Sequence, residues 1–249
     1  MSLCGGHPAD AITVLVRNAC ETNAARLAAR LTAMAPPLGL PRGPGERPTV
    51  ILFDSDQDDD LPAMLAEPVA AIIDVSCHAP MDGLKRLPSA LLVRVSTALA
   101  LTCDVAGPVS AALCRRLPQA RPVETALRAA MQEAIGNAVM HGNLGMDSGL
   151  RSRCDGLAAF AHMMDTRAKD PDLARRAVTI AAKWNAHALV VTVEDCGIGF
   201  DHHAHAGHAP APLTAHSGRG LAQIRAACGR VNLLSKGRRI SMRFKLASA

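Results

Sequence analysis

Three short motifs in the second half of the chain carry the residues best suited to chemistry. The first is Glu133-Ala134-Ile135-Gly136-Asn137, which is followed after a short gap by His141-Gly142. The second is Asp195-Cys196-Gly197-Ile198-Gly199, and the third is Ser217-Gly218-Arg219-Gly220-Leu221. A carboxylate and an amide one helical turn apart, followed by two glycine-rich turns, predict a site for a nucleotide and its metal ion.

The first motif supplies the groups for metal binding and proton transfer. Glu133 and Asn137 are four residues apart on a predicted helix, so both side chains project from one face. The Asn137 amide oxygen suits Mg²⁺, and Glu133 is placed to act as a general base toward a water or a hydroxyl. Alternatively, Glu133 only forms a surface ion pair, for example with Arg128. His141 lies one turn further on and either contacts phosphate or metal-bound water or closes the helix.

The second motif follows the apolar run Leu189–Val193, which is predicted to be a strand. A carboxylate at its end, Asp195, can accept a hydrogen bond from the exocyclic amine of adenine. Gly197 and Gly199 allow close approach of the backbone or a positive φ angle. The alternative is an ordinary turn from strand to loop.

The third motif precedes a predicted helix, where free backbone N–H groups favour an anionic phosphate. Gly218, Gly220 and Leu221 would supply such groups, whereas Arg219 either adds a charged contact or faces solvent. The segment Asp201–Ser217 between the two glycine motifs has the composition of a mobile lid. Its histidines could instead hold a transition metal; they are His202, His203, His205 and His208.

Apolar periodicity predicts the elements that position these motifs. The predicted strands are Leu99–Cys103, Ala177–Ala182 and Ala188–Glu194, with a closing hairpin of Val231–Ser235 and Ile240–Leu246. The predicted helices are Pro108–Leu117, Pro122 to about His141, Cys154–Arg167 and Gly220–Cys228. Helices on one face of an antiparallel or mixed sheet predict a two-layer α/β sandwich for residues 97–249.

Residues 1–96 alternate short apolar runs with helical or loop segments, which indicates a parallel α/β layer. The runs are Ile12–Val16, Thr49–Phe53, Val69–Val75 and Ala90–Val95, with a helix over Glu21–Ala33. This part resembles a shortened flavodoxin-like or response-regulator receiver domain. Because Arg17-Asn18-Ala19 replaces the acidic pair expected after the first strand, we predict a degenerate docking or sensor domain. Phosphorylation of Asp74, or of Asp54, is the alternative.

Composition separates the two parts and excludes some function classes. Residues 1–96 carry 8 Lys and Arg against 11 Asp and Glu, whereas residues 97–249 carry 19 against 11, which suits two domains with different partners. Aromatic residues make up only 2%, which argues against base-stacking platforms. The eight cysteines form no C-x-x-C pair, and Cys103, Cys114 and Cys228 are predicted to be buried thiols. No signal peptide or membrane-spanning run is recognised, so a cytoplasmic location is expected.

The three motifs together resemble the N, G1 and G2 boxes of the GHKL ATPase superfamily. Within it, Asn137-Ala138-x-x-His141-Gly142 and Gly218-Arg219-Gly220-Leu221 with Ile224-Arg225 resemble the anti-sigma-factor serine kinases. The resemblance covers about residues 97–249. It implies a Bergerat-type ATP pocket with Mg²⁺ on Asn137, adenine on Asp195 and Glu133 as the base.

Such kinases phosphorylate a serine or threonine of an antagonist protein in a bacterial partner-switching pathway, and often bind a sigma factor in exchange. A homodimer is compatible with this resemblance, whereas direct contact with nucleic acid or a membrane is not expected. The alternative is a non-catalytic ATP-binding switch that sequesters a partner, but the intact Glu133 favours the enzyme. Two departures concern the partner. The segment Asn143–Arg176 is longer than a minimal kinase of this type needs, and Cys228-Gly229-Arg230 replaces an acidic pair.

Overall fold

A computed structural model of the protein describes residues 2–3, 12–19, 21–34, 48–57, 60–78, 90–146, 156–199 and 219–247. Within these ranges, nine strands form one mixed sheet in the order β1-β2-β3-β4-β5-β6-β7-β9-β8. The strands are β1 (Ser2–Leu3), β2 (Thr13–Arg17), β3 (Thr49–Phe53), β4 (Ala71–Asp74), β5 (Leu91–Ser96), β6 (Ala177–Trp184), β7 (Ala188–Glu194), β8 (Arg230–Leu234) and β9 (Arg239–Lys245). The α-helices are α1 (Glu21–Met34), α2 (Leu61–Ala66), α3 (Thr97–Thr102), α4 (Ala106–Arg116), α5 (Glu124–Asn137), α6 (Gly156–Ala168), α7 (Pro171–Ala174) and α8 (Arg219–Ala227).

The sheet runs without a break across the predicted boundary between residues 96 and 97. Strands β2 to β5 pair in parallel, and β5 then pairs antiparallel with β6, from Leu91 opposite Ala182 to Ser96 opposite Ala177. Every residue of β5 is buried, as expected for a strand with neighbours on both edges and side chains packed on both faces. Strand β5 therefore joins the parallel and antiparallel parts of the sheet.

The two faces of the sheet are covered very differently. The larger core cluster contains apolar residues from one face of the strands together with side chains of α2, α3, α4, α5, α6 and α8. The smaller cluster lies on the other face and contains Ala28 of α1 together with residues of β2, β3, β4 and β5, and it reaches Ala181 of β6. The two-layer α/β fold predicted for residues 97–249 is confirmed.

The strand order differs from that of the receiver-like domain predicted for residues 1–96. In flavodoxin-like domains the first strand lies between the second and third, in the order 2-1-3-4-5. Here β2, β3, β4 and β5 are neighbours in chain order, and β2 has the antiparallel β1 on its other side. The receiver-like resemblance is therefore not confirmed.

Asp74, at the carboxyl end of β4, is a buried residue that holds strand ends together. Its side chain is 1% exposed, and it accepts hydrogen bonds from the backbone N–H groups of Ser55, Ser76 and Ser96. Three donors compensate for the loss of water around a buried carboxylate. Asp74 thus ties together the ends of β3, β4 and β5, and its burial argues against the alternative of phosphorylation there.

The predicted strand over Leu99–Cys103 is wrong, because α3 occupies Thr97–Thr102. The Ser96 hydroxyl accepts a hydrogen bond from the Leu99 N–H at 3.2 Å, which is an N-cap that starts a helix directly after β5. Short apolar runs do not distinguish a strand from a buried helix by periodicity alone. The actual strand before this helix, β5, corresponds to the predicted run Ala90–Val95.

The long helix predicted from Pro122 to about His141 consists of three segments of different geometry. A 3₁₀ helix covers Pro118–Val123, α5 follows, and a π-helical turn covers Ala138–Asn143. The other predicted helices and strands of residues 97–249 are present within the described ranges, with ends shifted by one or two residues. The short helix α2 was not predicted.

The described cysteines are free thiols, and Cys114 is buried as predicted, whereas Cys103 and Cys228 are only half-buried. Among the described helices, none combines the length and apolar character needed to cross a bilayer.

Candidate functional site

Helix α5 presents its polar motif at the edge of a buried stripe. Its apolar residues at helical spacing are buried against the core; they are Leu127, Ala130, Met131, Ala134 and Ile135. Glu133 and Asn137 lie on the neighbouring part of the surface and are half-buried. No described residue forms a hydrogen bond to either side chain. The alternative ion pair with Arg128 is not formed, because Arg128 bonds to Asp104 at 2.9 Å. Within the described part of the chain, both groups therefore lack a hydrogen-bond partner.

The π-helical turn after α5 changes the direction of the residues that complete the first motif. Such single turns occur often at functional sites, because the extra residue per turn shifts the following side chains around the helix. His141 lies in this turn with an exposed side chain, and its Nδ1–H donates to the Met146 carbonyl at 2.8 Å. This bond gives His141 a role in closing the helix, and its predicted contact with the nucleotide stays a prediction.

Asn143, at the end of the π turn, connects the first two motifs and was not identified from the sequence. It is fully buried, and its Nδ2 donates to Thr97 Oγ1 at 2.8 Å and to the Ala177 carbonyl at 3.1 Å. Its Oδ1 accepts the Cys196 N–H at 2.8 Å, and its backbone carbonyl accepts Arg176 Nη1 at 2.7 Å. A buried polar side chain with all its groups paired holds its neighbours in one arrangement. The one available sequence signal was an Asn directly after the His-Gly pair.

Asp195 lies immediately after β7, as predicted, with its carboxylate almost buried. It is 9% exposed, and its Oδ1 accepts the Gly197 N–H at 2.8 Å. Burial raises the pKa of Asp195 from 3.8 to about 6, although the hydrogen bond from Gly197 and the positive charge of Arg238 oppose this shift. Among the described residues, none donates a hydrogen bond to Oδ2. This oxygen is therefore free to accept a hydrogen bond from a ligand amine.

Close backbone contact brings the first and second motifs together. A Cβ atom on Gly142 would lie 2.6 Å from both carboxylate oxygens of Asp195, and one on Gly197 would overlap the Gly142 carbonyl. Only glycine at both positions permits this approach. Gly199 has φ +81° and packs against the Lys236 carbonyl in the turn between β8 and β9, where a side chain would again not fit.

The start of α8 brings the third motif to the first. A Cβ atom on Gly220 would lie 2.7 Å from Glu133 Oε2 and 3.3 Å from Asn137 Nδ2. Ile224, one turn later, is fully buried in the larger cluster and holds α8 against α5. Leu221 is half-buried beside it. Gly218 and the predicted lid Asp201–Ser217 lie outside the described residues, and so does the Arg219 side chain.

The three motifs therefore border one region of the surface. Glu133 and Asn137 lie beside the amino end of α8, and the other end of the same motif meets Asp195 through Gly142. A helix amino end attracts phosphate through free N–H groups and the helix dipole, whereas a carboxylate beside close-packed glycines can accept an amine. Residues 97–244 match the family model of the histidine kinase-like ATPase domain. The chain belongs to this family of ATPase domains. No curated protein matches the chain significantly.

The groups that the ATPase domain presents fit ATP and a metal ion. The backbone of Gly220 lies directly against Glu133 and Asn137, and Asp195 Oδ2 has no hydrogen-bond donor among the described residues. Within the described ranges, no cluster of three or more His, Cys, Asp or Glu side chains is placed to hold a metal ion. A single protein donor, the amide oxygen of Asn137, fits Mg²⁺, because this ion keeps most of its waters and takes further oxygens from phosphate groups. The residues present thus fit a metal delivered with the nucleotide.

Two further predictions fall only partly within the described residues. The segment Asn143–Arg176, which the sequence predicts to be an insertion that binds a partner, contains helices α6 and α7. Arg167 Nη1 donates to the Leu144 carbonyl at 2.6 Å within this segment, and Phe160 of α6 is buried in the larger core cluster, which joins the segment to the rest of the domain. The lid histidines lie outside the described residues.

Proposed function

We propose that the protein binds Mg-ATP between α5, the Asp195–Gly199 loop and the start of α8, and transfers the γ-phosphoryl group to a serine or threonine of a partner protein. The contact of Gly220 with Glu133 and Asn137 is the observation that carries this proposal. It brings together a carboxylate that would act as the base, an amide that would bind the metal and a helix end that would attract phosphate. Membership of the ATPase family supports ATP as the ligand.

Each residue would have a distinct part in the reaction. Asn137 would hold Mg²⁺ through its amide oxygen, and the ion would neutralise charge on the phosphates. Glu133 would take the proton of the attacking serine or threonine hydroxyl. At the same time the hydroxyl oxygen would bond to the γ-phosphorus, and the bond from the γ-phosphorus to the leaving ADP would break. Asp195 would accept the adenine amine. Because the motifs resemble those of anti-sigma-factor kinases, we further propose that the partner is an antagonist protein and that the protein binds a sigma factor in exchange.

The test separates binding from transfer with two variants. Calorimetry would measure Mg-ATP affinity. In a second assay, γ-labelled ATP would be incubated with the protein and a soluble lysate of the cells that produce it, and labelled phosphoserine or phosphothreonine would be detected. Asn137→Ala is expected to weaken Mg-ATP binding at least about tenfold, because it removes a ligand of the ion. Glu133→Gln is expected to keep ATP affinity within about threefold and to reduce label transfer roughly 100-fold or more.

Glu124→Gln is the matched control, because it removes the same charge from the first turn of α5. It should leave both affinity and transfer unchanged. Transfer at the wild-type rate by Glu133→Gln would show that Glu133 is not the base. Mg-ATP binding by the wild type without transfer to any protein would favour the non-catalytic switch that sequesters a partner.

A further inference from the structure

In the part of the chain that the structure describes, nothing packs on the last four strands of the sheet beyond Ala181, on the face opposite the candidate nucleotide site. The smaller core cluster, which contains Ala28 of α1, ends at Ala181 of β6. From there a groove of about 320 Å³ extends over β6, β7, β9 and β8. Alternate residues of these strands line the groove, since side chains on one face of a strand recur at every second position. No described helix covers this part of the face.

The groove is strongly cationic. Lys183, Arg230 and Arg243 line it with exposed side chains, and none of the three has an ion-pair partner among the described residues. Arg230 is directly opposite Arg243 in the register of β8 and β9. Like charges at opposed positions destabilise a sheet, so the folded protein alone gains nothing from this arrangement.

A fourth arginine in the groove is already neutralised. Arg239 Nη2 donates to both carboxylate oxygens of Glu194 at 2.9 Å, and both side chains are mostly buried. The unpaired charge is therefore concentrated at Lys183, Arg230 and Arg243, around a floor that includes Ser241. This arrangement matches a ligand that brings several carboxylates.

We propose that this groove docks an extended acidic segment of a partner protein. The three cations provide charge complementarity, and hydroxyl and amide groups of Ser241 and Asn232 can hydrogen-bond to carboxylates. Leu234, 46% exposed at the edge of the groove, offers an apolar contact that a polypeptide can use. A groove of this volume accommodates a few side chains rather than a whole domain surface.

Two other occupants fit the groove less well. Nucleic acid is disfavoured because the groove has no aromatic side chain on which a base could stack. A second copy of the chain packed face to face would bring the same cations against each other. The groove faces away from Glu133 and Asn137, so the proposal does not depend on phosphoryl transfer.

The test uses a labelled peptide in which glutamate alternates with valine, and measures its binding to the full chain by fluorescence anisotropy. The variant combines Lys183→Gln, Arg230→Gln and Arg243→Gln, and Lys169→Gln is the control, since Lys169 is an exposed cation outside the groove. The combined variant is expected to bind the peptide roughly tenfold more weakly, because each surface charge contact contributes modestly. The control and the wild type should bind equally.

Several outcomes would overturn the proposal. One is equal peptide affinity of the combined variant and the wild type. Another is tighter binding of single-stranded DNA of the same charge at the same salt concentration, which would indicate nucleic acid. A dimer of the wild type that is lost in the combined variant would assign the face to a second copy. Thermal unfolding checks the fold, and the combined variant should unfold at the wild-type temperature or slightly above it, since a like-charge pair is removed.

Discussion

At the scale of single residues, the site is organised by places where no side chain fits. Gly220 lies against Glu133 and Asn137, and Gly142 lies against Asp195. These contacts explain why a glycine lies beside each of the two carboxylates of the site. Each functional side chain needs a neighbour without a Cβ atom to reach the shared region.

Gly220→Ala is predicted to damage the site directly. Its Cβ would lie 2.7 Å from Glu133 Oε2, so the end of the flexible Glu133 side chain, or α8 itself, must move away from its present position in the site. Mg-ATP affinity, measured by calorimetry, should fall. Gly136→Ala is the control: its Cβ would have no neighbour within 4 Å, and alanine within a helix should raise the free energy of unfolding by roughly 1 kcal/mol. Unchanged ATP affinity in Gly220→Ala would contradict the prediction.

The raised pKa of Asp195 predicts a pH dependence of stability. Because its pKa is about 6 in the folded protein and near 3.8 when unfolded, its stabilising contribution is full below pH 4 and is lost as the pH rises through 6. Relative to Asp195→Asn, the wild type should lose up to about 3 kcal/mol of unfolding free energy over this range. Urea denaturation of both proteins at several pH values measures this difference. A difference that does not change with pH would exclude a raised pKa.

At the scale of elements, the π turn and the strand ends fix the relation between the first two motifs. Asn143 connects the end of α5 to α3, to β6 and to the loop after β7. This connection depends on the extra residue of the π turn, which directs Asn143 into the core. Apolar periodicity predicted the helix but not its change in geometry, because the signal for a single π turn is too weak in one sequence.

Asn143→Ala is predicted to loosen this connection. It leaves the Cys196 N–H without its acceptor and the Ala177 carbonyl with only the weak Cys196 S–H donor, which should cost about 2–4 kcal/mol of unfolding free energy. Mg-ATP affinity should also fall, since Asp195 precedes Cys196 in the loop that Asn143 holds. Asn185→Ala is the control, because Asn185 accepts the Ala188 N–H in an exposed turn. It should leave ATP affinity unchanged. Equal losses of affinity in both variants would argue against a specific role for Asn143.

At the scale of the whole molecule, one continuous sheet packs against the helices that carry the candidate nucleotide site. The family match begins at residue 97, whereas β5, which ends at Ser96, pairs with β6 over six residues. Asp74 accepts the Ser96 N–H, so the ends of β4 and β5 are joined beside the start of α3. The division into two domains at residue 96 stays a prediction, and a truncation experiment can test it.

A fragment of residues 97–249 is predicted to fold poorly, because it lacks β5 and exposes the apolar edge and faces of β6. A fragment of residues 90–249 retains β5 and should show a cooperative thermal transition, at a lower temperature than the full chain. Circular dichroism during heating measures the unfolding temperatures of the two fragments and the full chain. Identical transitions for the shorter fragment and the full chain would show that residues 97–249 are an independent domain.

Residue types and local periodicity were enough to predict where the candidate site residues lie on their elements, and to predict most of the local elements. Asp195 after a strand, Glu133 and Asn137 on one helix face and the hairpin of β8 and β9 all follow from local periodicity and residue type. Three features could be seen only in the folded structure: β2 to β5 are neighbours in chain order, Asn143 joins two motifs, and Arg230 faces Arg243. These features depend on contacts between residues far apart in the chain, and local propensity carries no information about which distant segments become neighbours.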